Sequence, residues 1–172
     1  MHVRELTHAD VPAALELANT RTYSNCFLIS LLERNALTGI VGTFDNATLV
    51  GIASTSANCV TTDLTDEAAG ALASQLASEG RRSASIVGRK ENVQKLWAAL
   101  DGRWGAPRAI RELQPLLLLR RQPELAGDPL VRRATPDELD LVFLACVHMF
   151  RGEVGIDPLA RGMGTAYRER IE

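Results

Sequence analysis

Residues Ser83 to Leu119 read SASIVGRKENVQKLWAALDGRWGAPRAIRELQPLLLL, and the chain's architecture turns on them. Ser85-Ile86-Val87 has the character of a short buried strand, and Gly88 is its exit. Lys90 to Leu100 predicts an amphipathic helix. A break follows at Trp104-Gly105, and then a long apolar strand through Pro115 to Leu119. On the helix, Val93, Leu96, Trp97 and Leu100 recur at three- and four-residue spacing, which aligns them on one face. A strand, a helix and a returning strand can bury that face only against a sheet supplied by earlier residues.

Those earlier residues read as that sheet. Val3 to Leu6 is a short alternating strand, and Thr7 caps a first helix whose inner face is Val11, Ala14, Leu15 and Ala18. Phe27, Leu28, Leu31 and Leu32 mark a second helix ending near Asn35. Ile40 to Phe44 predicts a strand, Asp45-Asn46 its turn, and Ala47 to Thr55 its hairpin partner. A further strand lies around Ala57 to Thr61. Thr65 caps a third helix with Ala68, Ala69, Leu72 and Leu76 inward, ending at Gly80. The predicted order is β-α-α-β-β-β-α-β-α-β.

Composition narrows the function classes. The 172 residues carry a formal net charge of −2 and 5% aromatics, with no basic stripe interleaved with aromatics to suggest nucleic acid. No apolar run approaches a bilayer span, and the N-terminus lacks a charged-then-apolar signal. Cys26, Cys59 and Cys146 are odd in number and without close spacing, which predicts buried reduced thiols and a cytoplasmic setting.

An internal repeat predicts two domains. Val3-Arg4-Glu5-Leu6-Thr7-His8-Ala9-Asp10 recurs as Val131-Arg132-Arg133-Ala134-Thr135-Pro136-Asp137-Glu138. Each copy places a strand, a threonine cap and an acidic first turn before an apolar helix. Residues 121–129 are rich in breakers and read as the linker. The second copy holds only a strand, a helix from Pro136 to about Phe150, a loop and a final helix. The expectation is a domain of residues 1–120 and the first elements of a second over 130–172, in a chain that is a piece of something longer. The apolar face of Leu139, Val142, Phe143 and Cys146 would then be exposed and favour a homodimer.

The element order resembles the GNAT acetyltransferase superfamily, in which a mixed, mostly antiparallel sheet carries helices on both faces. The SIVG strand, the LW of the following helix, WGAPR and QPLLLL are similar to the N-terminal domain of actinobacterial two-domain GNAT proteins. That domain has no assigned activity and precedes a standard GNAT domain. The resemblance implies acetyl-CoA as cofactor and acyl transfer to a small-molecule or peptide amine, with no nucleic-acid or membrane partner. It also implies a non-catalytic binding or regulatory module as the alternative.

Within that resemblance the chemistry can be placed residue by residue. The pyrophosphate of acyl-CoA is held in such folds by N–H groups at a helix N-terminus, reached through an R/Q-x-x-G-x-G/A turn. The corresponding residues, Thr61 to Glu67, contain no glycine, and Asp63, Asp66 and Glu67 would repel a diphosphate. The N-x-x-A-x-x-L-Y helix of many such enzymes ends in a tyrosine acid; the matching register here puts Lys90 at the asparagine and Trp97 at the tyrosine. The expectation is a silent first domain with no catalytic residue assigned. Arg161, Gly162 and Gly164 of Arg161-Gly162-Met163-Gly164-Thr165-Ala166 do satisfy the turn pattern and are the candidate cofactor-binding residues, although no strand is expected before them. Glu153 and Asp157 are candidates for an acceptor amine, with surface carboxylates the plainer reading. His8 and His148 read as structural.

Overall fold

The structure is a computed structural model that describes the backbone over residues 1–172 and the side chains of all but Val154, Arg161, Ala166 and Arg170. The chain divides into two compact units, Met1–Leu119 and Arg120–Glu172. The first unit is mixed α/β. Its strands are β1 (His2–Glu5), β2 (Ile40–Asp45), β3 (Thr48–Ser54), β4 (Asn58–Thr61) and β5 (Ser85–Val87). They lie in that order in one sheet. The first four are antiparallel, and only β4 and β5 run parallel. Its helices are α1 (Val11–Asn19), α2 (Cys26–Glu33), α3 (Asp66–Ser78) and α4 (Lys90–Leu100).

Alternation along the strands explains why helices cover both faces. Ile40, Phe44 and Ile52 point to one side, where they meet Leu6, Ala14, Ala18, Ile29 and Leu32. Val41, Ala53 and Cys59 point to the other, against Ala68, Leu72, Leu76, Leu96 and Leu100. β2 lies between two paired strands with helices over both faces, so Ile40 to Phe44 are all buried, the polar Thr43 included. Asn46 takes the left-handed φ of 53° that the tight β2–β3 turn requires, a conformation asparagine tolerates.

The helices on the second face follow from simple spacing. On α3 the buried residues include Ala68, Leu72 and Leu76, one every four positions. On α4 they are Asn92, Leu96 and Leu100. The predicted limits of α4 are those observed, and Leu96 is fully buried. Trp97 is half-buried and packs against the same core.

Several expectations are corrected. The strand expected at Pro115 to Leu119 does not form, and no helix or strand occurs between Leu100 and Pro136. Leu116, Leu117, Leu118 and Leu119 are all exposed, Leu117 by 85%. Pro115 has no N–H to donate, and a strand exists only where a neighbour accepts its hydrogen bonds. The strand expected at Val131 is absent for the same reason, and Val131 is 77% exposed. Phe27 faces outward, and Ile29 takes its place in the core of α2. Of the three cysteines, all free, only Cys59 is buried, which pushes its thiol up to about 12; Cys26 is exposed. No described helix is long and apolar enough to cross a membrane.

The second unit contains a 3-10 turn (Pro136–Glu138), α5 (Leu139–Val154), a 3-10 turn (Ala160–Gly162) and α6 (Gly164–Ile171). Tyr167 of α6 donates its hydroxyl to the Cys146 carbonyl at 3.2 Å and lies between the rings of Phe143 and Phe150. The face expected to be bare is therefore partly covered: Leu139, Val142, Phe143 and Cys146 are all half-buried.

The repeat seen in the sequence recurs as the same set of hydrogen bonds, made to an aspartate in one copy and a glutamate in the other. Arg4 makes two 2.8 Å bonds to the Asp10 carboxylate, which also accepts from the Thr7 N–H and hydroxyl. Arg132 makes bonds of 2.8 and 2.6 Å to Glu138, which accepts from the Thr135 N–H and hydroxyl. In both, the arginine also donates to the carbonyl of the next residue. This clamp fixes the angle at which the chain enters the helix, once in each unit.

Candidate functional site

The parallel pair β4–β5 ends where two helices begin, since α3 follows β4 and α4 follows β5. The C-terminal edge of parallel strands, with helix N-termini beside it, is where open α/β sheets bind ligands. This is the position that Thr61 to Glu67 occupy.

The backbone here is fixed from below. Thr62 accepts the Ile52 N–H on its hydroxyl at 2.9 Å, and its own N–H donates to the Ile52 carbonyl at 3.0 Å. Leu64 is buried and lies over β3, where a Cβ built on Gly51 would come within 2.7 Å of Leu64 Cδ2. Between these two anchors Asp63 has no choice but to face outward over the strand ends.

Four groups converge there. Arg89, the residue before α4, donates from Nη1 to both Asp63 carboxylate oxygens at 3.1 Å. Asn92 donates from Nδ2 at 2.8 Å, while its Oδ1 accepts the Leu64 N–H at 3.4 Å. Arg21, in the loop between α1 and α2, donates its Nε–H to Asp63 Oδ2. That loop, Asn19 to Ser24, lines an open groove of about 430 Å³. Lys95 completes the cluster by bonding the Leu64 carbonyl at 3.1 Å and pairing with Asp66 at 3.4 Å.

Partial burial pushes the Asp63 carboxyl up, but Asn92, Arg21 and Arg89 outweigh it and hold the group below the usual carboxylate range. The charges close on themselves. Arg21, Arg89 and Lys95 are answered by Asp63, Glu91 and Asp66. The amides at the start of α3 are served by their own chain as well: Thr65 accepts from the Ala68 N–H at 3.2 Å. Glu67 bonds its own N–H, which lowers its carboxyl with help from the Thr65 hydroxyl. At the head of α3 an incoming diphosphate would meet acidic side chains and a cap already engaged, whereas α4 starts at Arg89 with no side-chain cap.

The other candidates are placed as follows. Asp157 is joined to Arg151 at 2.8 Å and accepts the Leu159 N–H at 2.9 Å, so it staples the turn after α5. Arg151 holds its carboxyl below the usual range. Glu153 is exposed on the last turn of α5. Gly162 has a φ of 77° and Gly164 opens α6, so the turn pattern is realised as a turn into a helix; the Arg161 side chain lies outside the described residues. Among the described residues, neither Glu153 nor Asp157 hydrogen-bonds to that turn. His8 approaches Asn35 Oδ1 at 3.4 Å and His148 is exposed. Arg21, Arg89 and Asn92 escaped the sequence reading, because nothing local links them to Asp63.

A family model described as a domain of unknown function (DUF4081) matches residues 38–142, a span that includes every element of the Asp63 cluster except Arg21. No curated protein and no solved structure matches the chain.

Proposed function

The chain belongs to the DUF4081 domain family, and from that premise we propose that its first unit is a non-catalytic, acyltransferase-like module of a GNAT-type N-acetyltransferase. Such an enzyme transfers acetyl from acetyl-CoA to an amine by direct attack on the thioester. Two features support the architecture: helices on both faces of a mostly antiparallel sheet, and one parallel pair with a helix after each strand. The silence of the first unit is carried by one observation. Asp63, held by Arg21, Arg89 and Asn92, puts the protein's own carboxylate at the ends of β4 and β5, and in this reading it takes the place of a cofactor phosphate. Trp97 at the acid position supports the same reading, because an indole N–H is too weak an acid to protonate a thiolate. The exposed free thiol of Cys26 fits a reducing cytoplasm.

A second reading is favoured by the Gly162–Gly164 turn. Its left-handed glycine and the helix that follows are the ingredients of a phosphate cradle. Isothermal titration of the purified chain with acetyl-CoA separates the two. The first reading expects no saturable heat at micromolar concentrations. Saturable heat that Gly164→Val abolishes would establish the second reading, and heat that survives Gly164→Val would overturn the silent first unit.

A further inference from the structure

Asn92 is the anomaly of α4. It sits on the buried stripe with Leu96 and Leu100 and is only 5% exposed, where packing alone asks for an apolar residue. Its amide has a fixed sense: Oδ1 accepts the Leu64 N–H, and Nδ2 is left aimed at Asp63. A surface ion pair gains little and asks nothing of the core. A buried polar side chain costs stability unless its hydrogen bonds are made, so this donor is tied to the anion it meets.

We propose that Asn92, Arg89 and Arg21 form an oxyanion site that Asp63 keeps closed, an autoinhibitory contact whose excluded ligand is a small tetrahedral oxyanion of the phosphate class. The donors come from α4, from the residue before it and from the α1–α2 loop, and all belong to the first unit. Each meets the carboxylate with a different atom: Nδ2 of Asn92, Nη1 of Arg89 and Nε of Arg21. A carboxylate offers them two oxygens and a phosphate four, so the remaining guanidinium N–H groups would gain acceptors. The amides at the start of α4 add their dipoles, because no side chain caps them.

Asp63 is held at bonding distance by its anchored neighbours Thr62 and Leu64, so it acts as an intramolecular ligand that any dissolved anion must displace. Without its carboxylate, Arg21 and Arg89 lose the partner they share. Arg89 keeps Glu91 at 3.6 Å, and Asp66 and Glu67 stand at the head of α3. The opened site therefore binds phosphate weakly, in roughly the millimolar range. This contact rests on the reading above that Asp63 stands in for a phosphate, and the two fail separately. That reading falls if acetyl-CoA displaces Asp63 from the wild type; this one is decided by orthophosphate and the Asp63 variants.

The test adds orthophosphate to the labelled full chain at constant ionic strength, reading the Asn92 Nδ2 signals and the Nε–H signals of Arg21 and Arg89 by NMR. Asp63→Ala should give saturable shifts at millimolar phosphate, and the wild type should bind at least about tenfold more weakly. Asp63→Ser repeats the measurement with a second uncharged side chain, and the amide signals of β2 and β3 report that each variant is folded. Adding Arg89→Gln to the binding variant should weaken it about tenfold. Folded Asp63 variants that bind no phosphate, a wild type that binds as tightly as they do, or binding unchanged by Arg89→Gln would overturn the proposal.

Discussion

Asp63 shows how far individual residues can be read before a structure exists. Its sign and place at the head of α3 mark it as an internal anion. Its partners stand 42, 26 and 29 positions away in Arg21, Arg89 and Asn92, so only the fold introduces them. The Arg132–Glu138 clamp is more legible, because threonine, proline and glutamate in a capping-box pattern all lie within a few residues. Its strength can be read by titration. Arg132 is the main cause that lowers the Glu138 carboxyl from 4.5 to about 2, with the Thr135 N–H and hydroxyl adding to it. A carboxyl depressed in the folded state contributes stability above its ordinary pKa and loses it as pH falls through the folded value. The start of α5 should therefore hold at pH 5 and fray between about 4.5 and about 2. Carbon-detected NMR of the Glu138 carboxyl should give a midpoint near 2 that Arg132→Gln moves back towards 4.5; a wild-type midpoint near 4.5 would refute the clamp.

At the level of elements, helices are more legible in the sequence than strands, and the reason is where their hydrogen bonds go. A helix such as α4 bonds within itself, so four-residue spacing and a buried stripe suffice to find it. A strand bonds to something else, and the sequence of a strand does not name its partner. Pro115 to Leu119 has the composition of a strand but no partner, and its leucines remain in water. The contrast gives a stability test. Leu96 is fully buried between α3 and the sheet, so Leu96→Ala should cost roughly 2–5 kcal/mol through lost contacts and a cavity. Leu117→Ala, at 85% exposure, should stay within about 0.5 kcal/mol of wild type. Urea unfolding monitored by tryptophan fluorescence would measure both. A large loss at Leu117 would mean that the leucine run is packed after all.

For the molecule as a whole, the order of the first nine elements was legible, because each pattern change coincides with a breaker or a cap. The internal repeat was legible too, and the matched Arg–Thr–acid clamps give it a physical meaning: two helix entries built by the same device. The closed charge cluster at the ends of β4 and β5 was not legible, since it draws on three separated segments. It is also what the functional account rests on, because the proposed silence of the first unit follows from Asp63 occupying that place. Amide NMR of the labelled chain during addition of acetyl-CoA tests this most directly. The account predicts that the N–H signals of Leu64 to Ala68 and the Nε–H signals of Arg21 and Arg89 stay where they are. Saturable shifts at those groups would mean that the cofactor displaces Asp63, and the account would be contradicted.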